Sequence, residues 1–270
     1  AQNARIFRTI VSFGNKVDVN VADLIAYFSR KPEIEVMAAY MEGLDPGEGR
    51  RFYQVARTCG RPVIVYKSGR TEAGARAAAS HTASMSGSYD VFRAACLQAG
   101  CVLTEDIDDF YHYTKAFAML SGKKPRGNRV AGVVNAGLDA TMGADTLFRL
   151  RQAVFSPETV EKIRELNTHG LVDTGTSFLD VTPMTEDVLF ARFVETVLLD
   201  PGVDCLFVAI VPHIQNLKTL PANLAGRKAI GPLLAELSHR YDKPVVVSVN
   251  AGHHYREFVR YLEERGLPVF

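Results

Sequence analysis

Short apolar runs alternate with stretches of helical periodicity along most of the chain. In the first half, residues 9–13, 35–40, 62–66 and 101–103 form apolar runs next to turn-forming residues, and we predict strands there. Apolar residues at helical spacing predict helices over residues 19–28, 50–58, 89–99 and 108–120. Apolar strands separated by helices are typical of a parallel sheet covered on both faces. The first half therefore predicts a doubly wound α/β domain.

The second half repeats this scheme. Strands are predicted over residues 129–134, 203–211, 244–250 and 268–270, and helices over residues 141–150, 158–167, 186–199 and 255–265. We expect Thr185 to cap the third of these helices. Between the halves, residues 121–128 (SGKKPRGN) interrupt the periodicity with glycine, proline and positive charge. This pattern, and a length of 270 residues, predict two domains over residues 1–125 and 126–270.

Composition and charge exclude some classes of protein. The formal net charge is +1 with acids and bases interspersed, which argues against a nucleic-acid partner. The apolar runs are too short to cross a bilayer, so we expect no membrane segment. The four cysteines form no CxxC pair, and we expect reduced thiols in a cytoplasmic protein.

The most unusual stretch is residues 67–87, KSGRTEAGARAAASHTASMSG. It follows a predicted buried strand, at the sheet edge where open α/β sheets bind ligands, and we interpret it as a long functional loop. His81 is its candidate nucleophile, because a neutral imidazole has a free lone pair near pH 7. Ser80 and Thr82 are candidate phosphate ligands through hydroxyl and amide donors. On composition alone, the competing interpretation is that a helix begins at residues 75–79 and that His81 only flanks it.

A second candidate site follows the first strand of the second half. Residues 135–145 (NAGLDATMGAD) connect this strand to a helix through glycines, and free amides at a helix start bind anions. We assign the backbone of Ala136, Gly137 and Leu138 to a phosphate site. Asp139 is excluded, because a carboxylate facing inward would repel phosphate.

Other polar groups at strand ends give weaker signals. Glu42 follows a predicted strand and is placed to hydrogen-bond an imidazole, although a solvated turn residue would have the same pattern. By composition alone, Asp180 and the rest of residues 178–183 (FLDVTP) form the approach to a helix cap at Thr185. His253 and His254 have no third ligand at metal-binding spacing, which favours a surface loop, and we predict no metal site.

Several of these motifs together resemble the NDP-forming acyl-CoA synthetases of the succinyl-CoA synthetase superfamily. The segment from Lys67 to Gly87 is similar to that family's K-x-G-R-[ST]-x-A-G-x-x-A-A-x-S-H-T-G signature, with Ala83 in place of a glycine. Residues 11–18 (VSFGNKVD), the Y-x-E-G at residues 40–43 and the loop at residues 135–145 also resemble family motifs. Residues 178–183 resemble the family segment beside that loop, with Asp180 matching in type, as well as they fit the approach to the helix cap. The resemblance implies two flavodoxin-like, succinyl-CoA synthetase-like domains, and implies that His81 is phosphorylated and oriented by Glu42.

The resemblance also implies a reaction: acyl-CoA, phosphate and NDP give acid, CoA and NTP through acyl phosphate and phosphohistidine. The CoA-binding and ATP-grasp domains of that family have no counterpart in these motifs, and we expect its S-x-S-G strand and helix to lie upstream. We therefore expect no cofactor in this part of the enzyme. Partner domains or subunits are expected to bring CoA, ADP or ATP and magnesium. We also expect an oligomeric assembly, and no turnover by the isolated fragment. The alternatives are a regulatory, ligand-sensing module, as in superfamily members fused to protein acetyltransferases, and a plain flavodoxin-like binding protein.

Overall fold

The structure, a computed structural model, describes residues 6–14, 18–82, 88–123 and 125–270, and it describes side chains outside residues 78–87. Contacts divide the chain into two compact units, with the boundary between Ser121 and Gly122. This point lies within the Gly/Pro-containing segment in which the sequence predicted a domain boundary. None of the helices in the described ranges has the length and hydrophobicity needed to span a bilayer.

Unit 1 is built on a parallel sheet with the strand order β1-β2-β3. Its elements are α1 (Val21–Phe28), β1 (Met37–Met41), α2 (Glu48–Thr58), β2 (Val63–Lys67), α3 (Glu72–Thr82), α4 (Tyr89–Ala99), β3 (Val102–Thr104) and α5 (Ile107–Met119). The register places Met41 opposite Lys67 and Tyr66 opposite Thr104, so the three strands end at one edge of the sheet.

Successive side chains of β2 point to opposite faces of this sheet. Val65 belongs to a core that includes Phe52 of α2 and Phe92 of α4, whose rings stack with centroids 5.9 Å apart. The next side chain, Tyr66, contacts Phe110 of α5, with 6.1 Å between ring centroids. Helices therefore cover both faces, as the apolar character of the strand predicted.

Unit 2 is a second parallel sheet, with the order β5-β4-β7-β8 and with β6 also paired to β4. Its elements are β4 (Arg129–Val134), α6 (Gly137–Asp145), β5 (Arg151–Gln152), α7 (Pro157–Leu166), β6 (Phe178–Asp180), α8 (Asp187–Leu199), β7 (Cys205–Ile210), α9 (Ile230–Arg240), β8 (Val245–Val249) and α10 (Arg256–Glu263). Beyond β8, Val269 forms a parallel bridge with Val247 where a last strand was predicted.

The main core of unit 2 lies between its sheet and one layer of helices. Phe190 of α8, Leu234 of α9 and Phe258 of α10 are fully buried against β4, β7 and β8. Helix α6 lies against β4 and β6, where Gly143 approaches the ring of Phe178. The doubly wound α/β class predicted from the sequence is confirmed.

The predicted strand over residues 9–13 does not form. Ile10 is 79% exposed, and no strand within the described residues pairs with the outer edge of β1. A groove of about 780 Å³ lies there instead, lined by this segment, β1, α1 and α5. An apolar run becomes a strand only where its N–H and C=O groups align with a neighbouring strand, and residues 9–13 are not aligned with the free edge of β1.

Further elements differ from the prediction. Residues 72–82 form α3 rather than an extended loop, and α9 was not predicted at all. Helix α6 begins at Gly137, before the predicted start at residue 141. Thr185 does not cap α8: its hydroxyl bonds the carbonyl of Val181, and Glu186 is the N-cap residue.

Candidate functional site

The carboxyl ends of β1, β2 and β3 form one polar edge in unit 1. Glu42 follows β1 directly, Lys67 ends β2 and Thr104 ends β3. The amide of Ser68 donates to the carbonyl of Met41 over 3.0 Å, so the pairing of β1 and β2 continues past Lys67. The parallel register therefore brings Glu42 close to the start of the segment that leads to α3.

Glu42 is half-buried, and its backbone is held from the neighbouring strand. The ammonium of Lys67 donates to the carbonyl oxygen of Glu42 over 3.2 Å and to that of Ser68 over 3.0 Å. The hydroxyl of Tyr40 lies 3.4 Å from Oε1 of Glu42 and 3.4 Å from Oγ of Ser68, longer than ordinary O–H···O bonds. The Glu42 carboxylate thus has no strong side-chain donor among the described residues.

Helix α3 carries the candidate nucleophile. At the start of α3 the Thr71 hydroxyl accepts a hydrogen bond from the Gly74 amide over 3.1 Å. The alanine-rich sequence of the helix has a high intrinsic helix propensity. Ser80, His81 and Thr82 form its last turn, so the competing interpretation of a helix in this stretch was right about the backbone. Their side chains lie outside the described part of the structure, and the contact between Glu42 and His81 stays a prediction.

The predicted phosphate site in unit 2 lies at the start of α6. The N-cap residue is Ala136, which has no side-chain acceptor, and no side-chain bond caps this helix. Gly137 and Leu138 are exposed, and amides in the first turn of a helix have no partner within the helix. This start therefore offers free N–H groups and the positive end of a helix dipole to an anion.

Asn135 fixes the position of this helix start. It is 1% exposed, its Nδ2 donates to the carbonyl of Val211 over 3.1 Å, and its Oδ1 accepts the Val211 amide over 2.8 Å. The side chain thus extends the pairing of β4 and β7 by one step beyond the strands. Ala136 and Gly137 follow directly from this anchored residue.

Two carboxylates lie near the first turn of α6. Asp180, at the end of β6, places Oδ2 3.3 Å from the position that a Cβ atom on Gly137 would occupy. Asp139 does not face the helix start: it is buried, and its Oδ1 accepts a hydrogen bond from Nδ2 of Asn250. Burial, and to a lesser degree Asp180, raises the pKa of Asp139, whereas the bond from Asn250 lowers it.

Sequence reasoning missed the pairing of Asp139 with Asn250, which joins the start of α6 to the end of β8. Only the position of Asn250 at the end of the predicted strand over residues 244–250 hinted at it. Asp180 is additionally held by a turn in which its Oδ1 accepts the Thr182 amide over 2.9 Å, and Thr182 has a positive φ of 70°. His253 and His254 are exposed in a short 3-10 helix. The described residues contain no cluster of ligands suited to a metal ion.

Comparison with known proteins gives a consistent result. Residues 1–117 match the family described as succinyl-CoA ligase like flavodoxin domain. The chain is 32% identical to subunit alpha of acetate–CoA ligase [ADP-forming] II from Pyrococcus furiosus, over 98% of this chain and 56% of that subunit. It is 36% identical to acetate–CoA ligase [ADP-forming] II from Archaeoglobus fulgidus, over 76% of this chain and 30% of that protein.

A solved structure agrees with these relatives. The acetyl-coenzyme A synthetase 1 of Ca. Korarchaeum cryptofilum, described as dinucleotide forming and solved in complex with phosphate and ADP, superposes with a TM-score of 0.82 at 32% identity. The match covers 96% of this chain and 55% of that one. The chain therefore spans about half, or less, of the relatives that it matches.

Proposed function

Because the chain belongs to the NDP-forming acyl-CoA synthetases of the succinyl-CoA synthetase superfamily, we propose that it is the phosphohistidine-carrying core of such an enzyme. The complete enzyme converts acyl-CoA, phosphate and NDP into acid, CoA and NTP. CoA and the nucleotide with its magnesium bind to partner domains or subunits. Assembly into an oligomer and a cytoplasmic location are part of this proposal.

In the proposed chemistry, His81 receives the phosphoryl group from acyl phosphate. The imidazole lone pair attacks phosphorus, the N–P bond forms, and the P–O bond to the acyl group breaks with its electron pair leaving on the carboxylate. The terminal phosphate oxygen of NDP then attacks the same phosphorus, and the electron pair of the N–P bond returns to the imidazole. Glu42 orients the ring and fixes which nitrogen carries the proton.

The observation that carries this proposal is the uncapped, exposed start of α6. Its free amides at Ala136, Gly137 and Leu138 suit a dianionic phosphoryl group, and Asn135 fixes them in place. The Korarchaeum synthetase was solved in complex with phosphate and ADP, which agrees with phosphoryl-transfer chemistry in the complete enzyme. Ser80 and Thr82 supply further donors beside His81 in the proposal.

Labelling of the full-length protein tests the nucleophile. With γ-labelled ATP and magnesium we expect acid-labile, base-stable label on the wild type and none on His81→Ala. His254→Ala, an exposed histidine in unit 2, is the matched control and should keep the label. Label that persists in His81→Ala would refute the assignment. A wild type that takes up no label would favour the regulatory, ligand-sensing alternative.

A second pair of variants tests the start of α6. Gly137→Pro removes one N–H group without breaking the helix, because Gly137 is the first helical residue and Ala136 is extended. Gly137→Ala adds a side chain but keeps the N–H group. Loss of one donor to developing charge predicts a roughly hundredfold slower phosphoryl transfer in Gly137→Pro. Equal rates in the two variants would exclude this amide from the site.

A further inference from the structure

Lys67 is a buried cation at the edge of the unit 1 sheet. It ends β2, is 4% exposed, and lies with its ammonium 5.8 Å from the centroid of the Phe92 ring. Desolvation lowers its pKa. Among the described side chains, no carboxylate forms an ion pair with it.

Both acceptors of this ammonium among the described residues are backbone carbonyl oxygens. The bond to Glu42 reaches the residue that follows β1, and the bond to Ser68 reaches the residue that follows β2. Burial of an ammonium group is unfavourable unless it is paired or well hydrogen-bonded. An apolar side chain would fill the same space without the desolvation cost. The lysine therefore contributes what an apolar side chain cannot, namely hydrogen bonds to the two carbonyl groups.

The two acceptors lie on the two segments that matter for the proposed chemistry. Glu42 carries the carboxylate that orients His81, and Ser68 opens the connection to α3, which contains His81. The Ser68 amide is bonded to Met41, so both segments are also tied to each other. One ammonium group thus ties the backbone of Glu42 to the start of the segment that leads to His81.

We propose that Lys67 is a positioning residue that sets Glu42 relative to the segment carrying His81. The catalytic part of this inference rests on the proposed function. The hydrogen-bonding role of Lys67 does not depend on it. Lys67→Met keeps the length of the side chain and removes the charge and all donors. Lys243→Met is the matched control, because Lys243 also has a pKa lowered mainly by burial and donates to a backbone carbonyl, that of Asp200 in unit 2.

Amide hydrogen exchange in the full-length protein measures the hydrogen-bonding role without reference to catalysis. We expect faster exchange of the Ser68 amide and of the segment after Met41 in Lys67→Met, and unchanged exchange there in Lys243→Met. Unchanged exchange in Lys67→Met would overturn the inference even if His81 is phosphorylated. If Lys67→Met does not fold, Lys67→Leu, which likewise has no donor, takes its place under the same criteria.

The rate of phosphohistidine formation measures the positioning role. Misplacement of an orienting group predicts a rate lowered by roughly tenfold to a hundredfold in Lys67→Met, with the KM for nucleotide little changed. The acid limb of the pH–rate profile should move to lower pH, as in Glu42→Gln, because His81 loses its carboxylate partner. A folded Lys67→Met with the wild-type rate and profile would overturn the inference, whereas an unlabelled wild type would instead contradict the proposed function.

Discussion

Asp139 and Asn250, which are 111 residues apart, form a hydrogen bond that joins the first turn of α6 to the end of β8. The second carboxylate oxygen of Asp139 is buried and has no hydrogen-bond partner within the described part of the chain. An unsatisfied buried oxygen of this kind favours the protonated carboxyl group. The raised pKa of Asp139, caused first by burial, agrees with this geometry.

We predict that Asp139→Asn stabilises the protein at neutral pH. A group whose pKa is raised on folding contributes stability below its ordinary value of 3.8, and this contribution is lost as pH rises through the folded pKa. The asparagine side chain keeps an acceptor for Asn250 and never ionises. We therefore expect a gain of about 1 kcal/mol at pH 7 and a flatter dependence of stability on pH, measured by urea unfolding.

Asp139→Ala is the control for this prediction. It removes the charge and also the acceptor for Asn250, so it should be less stable than Asp139→Asn at every pH. A loss of stability in Asp139→Asn at pH 7 would show that the folded protein accommodates the ionised carboxylate.

The pair of Arg129 and Asp204 predicts the opposite pH dependence. The Asp204 side chain is 2% exposed and accepts bonds from Nε and Nη2 of Arg129, both over 2.8 Å. Arg129 lowers the pKa of Asp204 from 3.8 to about 2. A lowered pKa gives stability that is present above the unfolded value and is lost as pH falls through the folded value, here between about pH 4 and pH 2.

Arg129→Met tests this pair, with Arg260→Met as a control that removes an exposed arginine from a helix surface. We expect a lower urea midpoint for Arg129→Met at pH 7, and a difference from the wild type that narrows as the pH falls from 4 to 2. A difference that stays constant over this range would show that the guanidinium contributes by packing and not by charge.

The sequence predicted those elements whose own pattern determines them. The strand over residues 129–134 and the helix over residues 89–99 have the predicted bounds, because a buried central strand and an amphipathic helix each leave a clear periodicity. The predicted strand over residues 9–13 failed because strand formation depends on a neighbour and not on the run itself. Helix α9 was missed because Gly231 and Pro232 indicate a turn, although proline is tolerated in the first turn of a helix.

The sequence likewise predicted only part of the candidate sites. The positions of Glu42 and Gly137 just after strands were predicted, because the ends of parallel strands share one edge, whereas their roles stay predictions. The partners of Asp139 and Lys67 were not predicted, because they are set by the register between strands that are far apart in sequence. Such register depends on packing of the whole sheet, which no local pattern encodes.

Gly143 is predicted to tolerate no side chain, although it lies inside a helix. A Cβ atom there would lie 2.7 Å from Cε1 of Phe178 and 3.2 Å from Cε1 of Phe207. Alanine normally stabilises a helix interior relative to glycine, but overpacking a buried ring costs about 1–3 kcal/mol. We expect Gly143→Ala to be destabilised by about this amount in urea unfolding.

The double variant Gly143→Ala/Phe178→Leu serves as the check on this mechanism. Removal of the ring provides the space, so Gly143→Ala should cost much less in the Phe178→Leu background than in the wild type. Equal costs in both backgrounds would mean that the helix backbone, and not Phe178, opposes the substitution.

Asn135 links the stability of unit 2 to its candidate phosphate site. Asn135→Ala leaves the amide and the carbonyl of Val211 without their partners at a buried strand end, and two such groups cost about 2–4 kcal/mol together. Since Ala136 and Gly137 follow this residue, the variant should also lower the rate of His81 labelling.

Asn135→Asp separates the two bonds, because the acceptor for the Val211 amide remains while the donor to its carbonyl is lost. At pH 7 that substitution also places a buried carboxylate oxygen against the Val211 carbonyl, so we expect a free energy of unfolding no higher than that of Asn135→Ala. If Asn135→Ala loses the expected free energy of unfolding but labels His81 at the wild-type rate, the start of α6 does not depend on this anchor.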